Sequence, residues 1–431
     1  MKSLDQIASE LQGYDPQALS ASAVNSFLAR MVEPVTQSES VALFDALGRV
    51  LAQDVVSPVN VPPHDNSAMD GFAFDGAQLA TGQALALRSV GTAYAGQAWR
   101  APVGRGECVK IMTGAVMPTG LDTVVPQEMV VVDGTMVSVP AGRIQPGDNR
   151  RATGEDIRLG QSALRAGELV TPAALGLVAS LGLKQLKVWR RLKVAYFSTG
   201  DEILSLGEAP REGAVYDSNR YTVYGLLTRM GVQMVDMGVV HDQPALLEAA
   251  FTQAAAQADA IITSGGVSVG EADHTRAMMK KLAGNSGGVA FWRIAMRPGR
   301  PMAVGRIARP GGGQAAVLFG LPGNPVAVMV TFLAFVRPAL LQMMGARDLP
   351  LPLLKAESQE AIRKKPGRTE YQRGIVSTGP SGALQVKITG NQGSGVLSSM
   401  TQANGLIVLH HAQGNVAPGD AVDVMMFDGV I

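Results

Sequence analysis

Residues 259–275, DAIITSGGVSVGEADHT, constrain the fold more than any other stretch of the chain. The apolar run Ala260-Ile261-Ile262 has the length and composition of a strand buried on both faces. It breaks into Thr263-Ser264-Gly265-Gly266, hydroxyls and glycines where a parallel strand would end. In open α/β sheets, ligands sit beyond the carboxyl ends of the strands. Glycine lets backbone N–H groups approach an anion, and hydroxyls add donors. Glu271, Asp273 and His274 follow in the same segment. Carboxylates beside a phosphate cradle suggest Mg²⁺. A surface turn explains glycines alone, but not glycines, hydroxyls and acids together after a buried strand.

The same punctuation recurs between residues 185 and 340. Strand-like runs at 193–197, 232–235, 260–263 and 316–319 alternate with helical patterns at 220–230, 243–256, 273–282 and 325–336. This predicts a doubly wound α/β unit. The first run leads into Ser198-Thr199-Gly200-Asp201-Glu202, and the last into GLPGNP at 320–325. Right-handed crossovers set such strand ends along one edge, so these loops and TSGG should share a crevice. Taken singly, STGDE reads as a capped turn and GLPGNP as a stiff turn with Pro325 at N1. Asp217-Ser218-Asn219 either caps the next helix or reaches the same edge to hold a ribose or base. Asp242 is either a rim acid or a cap. Arg293, Arg297 and Arg300 are either solvated or suited to a dianion.

Elsewhere the character changes. Residues 49–151 carry short strand-like runs such as CVKIM and TMVSVP between Gly and Pro turns, which predicts an inserted β-rich domain. Its loop VPPHDNSAMDGFA holds Asp65 and Asp70, and Thr113-Gly114 forms an anion-friendly turn. Helical spacing at 21–48 and again at 152–184 predicts a discontinuous helical linker domain, with Thr171 as N-cap and Pro172 at N1. Within the first of these, a second helix is expected over 41–47. Residues 345–431 alternate again, with EYQRGIVS, ALQVKITG, GLIVLH and AVDVMMF, and predict a small C-terminal β-barrel. Residues 1–20 read as a loosely attached extension. The greasiest run, 327–336, is too short to span a bilayer and is expected to be a buried helix ended by Arg337-Pro338.

The fold class is therefore multidomain α/β plus β. Of 431 residues, 46% are hydrophobic, enough for well-buried cores. A net charge of +1 gives no global case for nucleic acid or an acidic membrane surface. The single cysteine, Cys108, excludes an internal disulfide framework and fits a reducing, cytoplasmic compartment. Any soft metal handled here must find its sulfur ligands on the substrate.

The segments PPHDNSAMDGFA, MTGAVMPTGLDTVVPQE, NRRATGEDI, STGDEI, YDSNRY, TSGGVSVGEADHT, RPGRP, GLPGNP and NQGSGVLSSMTQANGLIVL, in that order, resemble the MoeA and gephyrin E-domain family of molybdopterin molybdenumtransferases. The resemblance runs from about residue 30 to the C-terminus. It implies insertion of molybdenum from molybdate into the dithiolene of adenylylated molybdopterin, with Mg²⁺ and release of AMP. It implies an elongated homodimer of four-domain subunits, with a cleft between the α/β domain of one and the inserted β domain of the other. Molybdopterin adenylyltransferase and apo-molybdoenzymes or their chaperones become expected partners. As catalytic residues it marks Asp65, Thr113, Asp156, Glu202 and Asp242, and as metal ligands Asp273, Asp242 and Glu202. Substrate contacts are expected from Ser198, Thr199, Gly200, Ser218, Thr263, Ser264, Gly265 and Gly266, from Pro322, Gly323 and Pro325, and from Arg373 and Ser394. Arg297 and Arg300 stand where the family often has lysine. Two other readings stay open: an adenylyltransferase with a related α/β domain, and a non-enzymatic, gephyrin-like scaffold.

Overall fold

A computed structural model describes residues 2–80, 82–267, 274–283, 288–347 and 351–427. Contacts divide the chain into two units, one of Met1–Glu39, Gly48–Ala52 and Val188–Ile431, the other of Ser40–Leu47 and Gln53–Lys187.

The second unit is built on a six-stranded sheet. Its order is Thr123–Pro126, Gly71–Phe74, Glu107–Ile111, Leu85–Ala93, Met136–Val139, Val131–Asp133. Side chains alternate across the pleat. Phe72, Phe74, Cys108 and Val125 therefore enter one core, and Ala73, Val109 and Val124 the other. Burial first, and the Glu107 charge second, push the Cys108 thiol up to about 12, so it packs as an inert small hydrophobe. The helix expected over 41–47 is absent. Val41 and Ala42 end the strand Ser38–Ala42, and Leu43–Asp45 make one 3₁₀ turn. The Leu43 N–H donates to the Lys184 carbonyl instead of to a helical partner. Thr171 does cap Pro172–Ser180, its hydroxyl accepting from the Ala174 N–H.

In the first unit a six-stranded sheet runs Gln233–Val240, Lys193–Thr199, Ala260–Ser264, Ala316–Leu321, Pro301–Ile307, Val289–Arg293. The first four strands are parallel and the last two antiparallel. The antiparallel pair carries no clean apolar run, which is why sequence periodicity passed over it. Burial on both faces makes Ala260–Ser264 wholly buried, as its apolar run predicted. The chain passes from Lys193–Thr199 to a neighbour on one side and then to Ala260–Ser264 on the other. The topological switch point therefore lies between these two strands.

The helix that follows Leu321 does not end at Arg337-Pro338. It runs over Pro325–Met343 and is 83% buried, a core helix despite a mean hydropathy of 1.8. Phe332–Val336 form a π-turn in which the Arg337 N–H donates to the Phe332 carbonyl. Widening the helix there lets Pro338 sit inside it without the N–H that an α-turn would need.

Residues 2–20 are not loosely attached. Leu4–Ser9 is a helix with a capping box on Ser3, and Ile7 and Leu19 are buried. The indole of Trp292 donates to the Tyr14 hydroxyl at 2.9 Å. Arg306, 2% exposed, donates to the Lys2 and Met31 carbonyls. Past residue 351, five strands close into a barrel. Thr369–Thr378 pairs with both Leu384–Ile388 and Gly405–Leu409, and Leu353–Ser358 and Ala421–Met426 complete the ring. Val386, Ile407, Leu409 and Val424 fill it.

Candidate functional site

The carboxyl edge of the parallel strands gathers most of the expected groups. Ser198 lies opposite Ser264, Ser264 opposite Leu321, and Thr199 opposite Val240. The loops STGDE, HD, TSGG and GLPGNP therefore leave the sheet side by side. Gly265 and Gly266 both take positive φ, +88° and +63°. A Cβ on Gly265 would stand 2.5 Å from the Thr199 carbonyl oxygen, and one on Gly266 2.5 Å from the Thr275 side chain. Glycine is required here by close approach of the next loop as well as by backbone sign.

The donors differ from the expectation. Ser198 and Ser264 are 1% and 3% exposed. Their hydroxyls bond each other at 3.3 Å and the Tyr196 hydroxyl at 2.8 and 2.7 Å, a closed ring of three. Burial, and then the Asp217 charge, raise the Tyr196 hydroxyl well above its ordinary range, so the ring is neutral. The Gly265 N–H donates to the Leu321 carbonyl. The Thr263 hydroxyl is buried with no partner among the described residues, and Thr199 reaches the Ser264 carbonyl at 3.5 Å. The Gly266 N–H is bonded to nothing among the described residues, which leaves it as a free donor on this edge. Sequence reasoning missed Tyr196 because it reads as core; its phenol sits two residues before Ser198, on the same face of the strand.

Asp217 is the cap of Ser218–Arg229, accepting from the Arg220 N–H at 3.0 Å. Ser218 opens that helix, and Asn219 donates to the Gly323 carbonyl, tying the helix start to GLPGNP. Asp242 is not a cap. Its carboxylate accepts from Thr275 at 3.3 Å, while Gln243 precedes Pro244–Gln257 with no side-chain cap. The Asp201 carboxylate accepts from the Asp242 N–H and meets His241 at 3.1 Å, which together hold it below the usual carboxylate range. Glu202 is exposed and lies against Gly200. Asp273 and Glu271 lie outside the described residues. Among the described residues no three His, Cys, Asp or Glu side chains cluster as a metal site.

Two further loops of the same unit carry expected contacts. Pro325 is at N1, Pro322 is buried, and Asn324 donates to the Ser394 hydroxyl at 3.0 Å. Arg373 is 1% exposed and donates to Ser399 and to the Asn391 and Gly393 carbonyls. Burial, with Arg297 nearby, lowers its guanidinium to about 10. Its visible work is to shape the 391–393 loop. Arg297 and Arg300 are exposed and have no ion-pair partner among the described residues.

The second unit holds two matching clasps. Asp65 accepts from the Thr153 N–H and hydroxyl at 2.7 and 2.8 Å, and Asp70 from the Thr113 N–H and hydroxyl at 2.7 Å each. These bonds, backbone first, hold both carboxyls below their ordinary range. Arg150 stands 3.5 Å from Asp65. The Asp65 carboxylate is therefore set to accept a proton rather than to give one. Asp156 is exposed, its N–H bonded to the Val61 carbonyl. Thr153 went unmarked, although it stands in the same Thr-Gly dipeptide as Thr113.

Three families match along the chain: "MoeA N-terminal region (domain I and II)" over residues 19–182, "Probable molybdopterin binding domain" over 195–342, and "MoeA C-terminal region (domain IV)" over 355–427. The chain is 39% identical over 399 residues to a molybdopterin molybdenumtransferase of Haemophilus influenzae, covering 92% of this chain and 95% of that one. It is 33% identical to one from a Nostoc species, over 90% of this chain and 88% of that one. A crystal structure of the molybdopterin biosynthesis moeA protein from Pyrococcus horikoshii OT3 superposes with a TM-score of 0.79 at 26% identity, covering 95% of this chain and 100% of that one.

Proposed function

The chain belongs to the MoeA family, enzymes of molybdenum cofactor biosynthesis, and from that premise we propose that it inserts molybdenum from molybdate into the dithiolene of adenylylated molybdopterin and releases AMP. The observation that carries this reading is the switch-point edge. There Gly265 packs against the Thr199 backbone and Gly266 against the Thr275 side chain, the Gly266 N–H is bonded to nothing among the described residues, and Asp242 and Glu202 stand on adjacent loops. Losing AMP breaks a phosphoanhydride, whose charge must be met by fixed donors and cations. Arg297 and Arg300, exposed and with no ion-pair partner among the described residues, supply positive charge for an oxyanion.

The oxygen-only donors on this edge fit Mg²⁺ in type, because Mg²⁺ takes one or two carboxylates and completes its shell with water and substrate phosphate. Asp242, Glu202 and Asp273 would hold it, and bound there it would neutralise phosphate charge. Asp65, anionic at rest, would take a proton from a dithiolene thiol and pass it to the departing oxo group, which leaves as water as sulfur replaces it. A homodimer, in which each subunit completes the other's cleft, is part of this proposal, as are handover from an adenylyltransferase and delivery to apo-molybdoenzymes.

The test is AMP release from adenylylated molybdopterin with Mg²⁺, with and without molybdate. Molybdate-dependent release is expected. Consumption of ATP with free molybdopterin would point to the adenylyltransferase instead. Stoichiometric binding without turnover would sink the enzymatic reading.

A further inference from the structure

One well-formed hollow of the first unit lies away from the switch-point edge. It is a cavity of about 580 Å³ between the start of the helix Ala21–Met31, the second half of the helix Pro325–Met343, and the barrel. Arg337 lines it, 12 residues beyond Pro325, or about 18 Å along the helix at 1.5 Å per residue. Its half-buried guanidinium has no ion-pair partner among the described residues, and burial lowers its affinity for its proton. Tyr371, 7% exposed, lines the same cavity, and its hydroxyl has no hydrogen-bond partner among the described residues. Neither polar head is sealed from solvent, so both open onto the cavity, where a guest can reach them.

The remaining lining sets the class of guest. No aspartate or glutamate contributes to it among the described residues. His410 does, but it is already bonded to Asp423 at 2.6 Å, so Arg337 is the cation in need of a counter-charge. Leu333 and Val408 supply apolar wall. Ligand pockets of this size typically combine an apolar wall with a few convergent polar groups. A planar guanidinium beside a phenol matches the two oxygens of a carboxylate better than a point charge would.

We propose that this cavity is a second ligand site, taking a small amphiphilic carboxylate whose head meets Arg337 and Tyr371 and whose tail lies against Leu333 and Val408. It is independent of the metal-insertion reading, because it uses none of the strand-end residues.

Hexanoate, 1-hexanol and inorganic phosphate, each titrated calorimetrically into the full-length protein at pH 7, test it. Hexanoate is expected to saturate one site per chain, at least tenfold tighter than 1-hexanol or phosphate. Arg337→Met, which keeps length and apolar stem, should weaken it at least tenfold, and Tyr371→Phe severalfold, with the melting temperature of Tyr371→Phe unchanged. Failure of hexanoate to saturate overturns the site. Equal binding of 1-hexanol, or of hexanoate to Arg337→Met, overturns the carboxylate recognition. Phosphate binding as tightly as hexanoate overturns the amphiphilic class.

Discussion

Asp259 received no role from the sequence, and the structure gives it one at the edge of the sheet. It opens the most telling segment of the sequence, at the amino end of the strand Ala260–Ser264 and away from the ligand edge. There it takes the Arg190 guanidinium on both oxygens at 2.7 and 2.8 Å and the Lys193 N–H at 2.9 Å. Burial pulls its carboxyl up, but the Arg190 fork and the Lys193 N–H outweigh it, and the net shift is downward. A carboxyl lowered on folding contributes stability above its unfolded value, here 3.8, and that contribution is lost as pH falls below it. Asp259→Ala should cost roughly 2–4 kcal/mol at pH 7 by leaving Arg190 unpaired. The deficit should shrink below about pH 4. Urea melts of both proteins at pH 7 and pH 3.5 check this; an equal deficit at both would show the pair is not what holds the strand edge. The Thr113 and Thr153 clasps were half legible for the opposite reason. Both acids stood in a conspicuous loop, but their partners lie 43 and 88 residues away, and only folding reveals such pairings.

At the scale of elements, the loop after Ala260–Ser264 rests on two glycines that no other residue can replace. Gly266→Ala needs φ +63° and drives a methyl to 2.5 Å from Thr275, which bonds Asp242. The expected result is a loss of about 1–3 kcal/mol in stability, with a larger, at least tenfold, fall in AMP release as Asp242 is displaced. Thermal melts beside single-turnover assays separate the two. Unchanged turnover in a destabilised protein would show that the loop is only a turn. The parallel strands of this sheet and four of the five barrel strands were legible because burial on both faces, or period-two alternation, is written in the residues themselves, while the barrel strand Leu353–Ser358 was passed over. Missing from that signal were Val289–Arg293 and Pro301–Ile307, whose arginines and proline break any apolar run, and the 3₁₀ turn at Leu43–Asp45, whose leucine and phenylalanine mimic a helix.

At the scale of the whole molecule, the N-terminal segment belongs to the α/β unit. Ile7 and Leu19 are buried, Tyr14 takes the Trp292 indole proton, and Arg306 spends two donors on main-chain carbonyls at Lys2 and Met31. Removing residues 2–16 strips the Trp292 partner and one of the two Arg306 partners at once, leaving only the Met31 carbonyl on Arg306. The shortened chain should melt several degrees lower and expose Trp292, with a red-shifted emission. An unchanged melt would mean that the segment merely rests on the surface. The homodimer is a prediction of the same scale: light scattering should give about twice 45.0 kDa. A strictly monomeric, active enzyme would remove the partner-completed cleft from the proposal.

The π-turn at Phe332–Val336 has a consequence for how this helix can change length. A π-turn is one residue more than an α-turn requires, and each residue of an α-helix rotates the chain by about 100°. Five residues of the wider turn sweep about as much arc as four of an α-helix, so the extra residue is absorbed and the segment from Arg337 onward stays in phase with the half that begins at Pro325. Deleting Ala334 would let the helix close as a continuous α-helix with Arg337 still facing its cavity, but would set Pro338 against the carbonyl of the turn before it. Substitution at this point leaves the wide turn open, whereas a single-residue deletion closes it on the proline ring. The prediction is that Ala334→Val folds and the Ala334 deletion does not, measured by soluble yield and thermal melt.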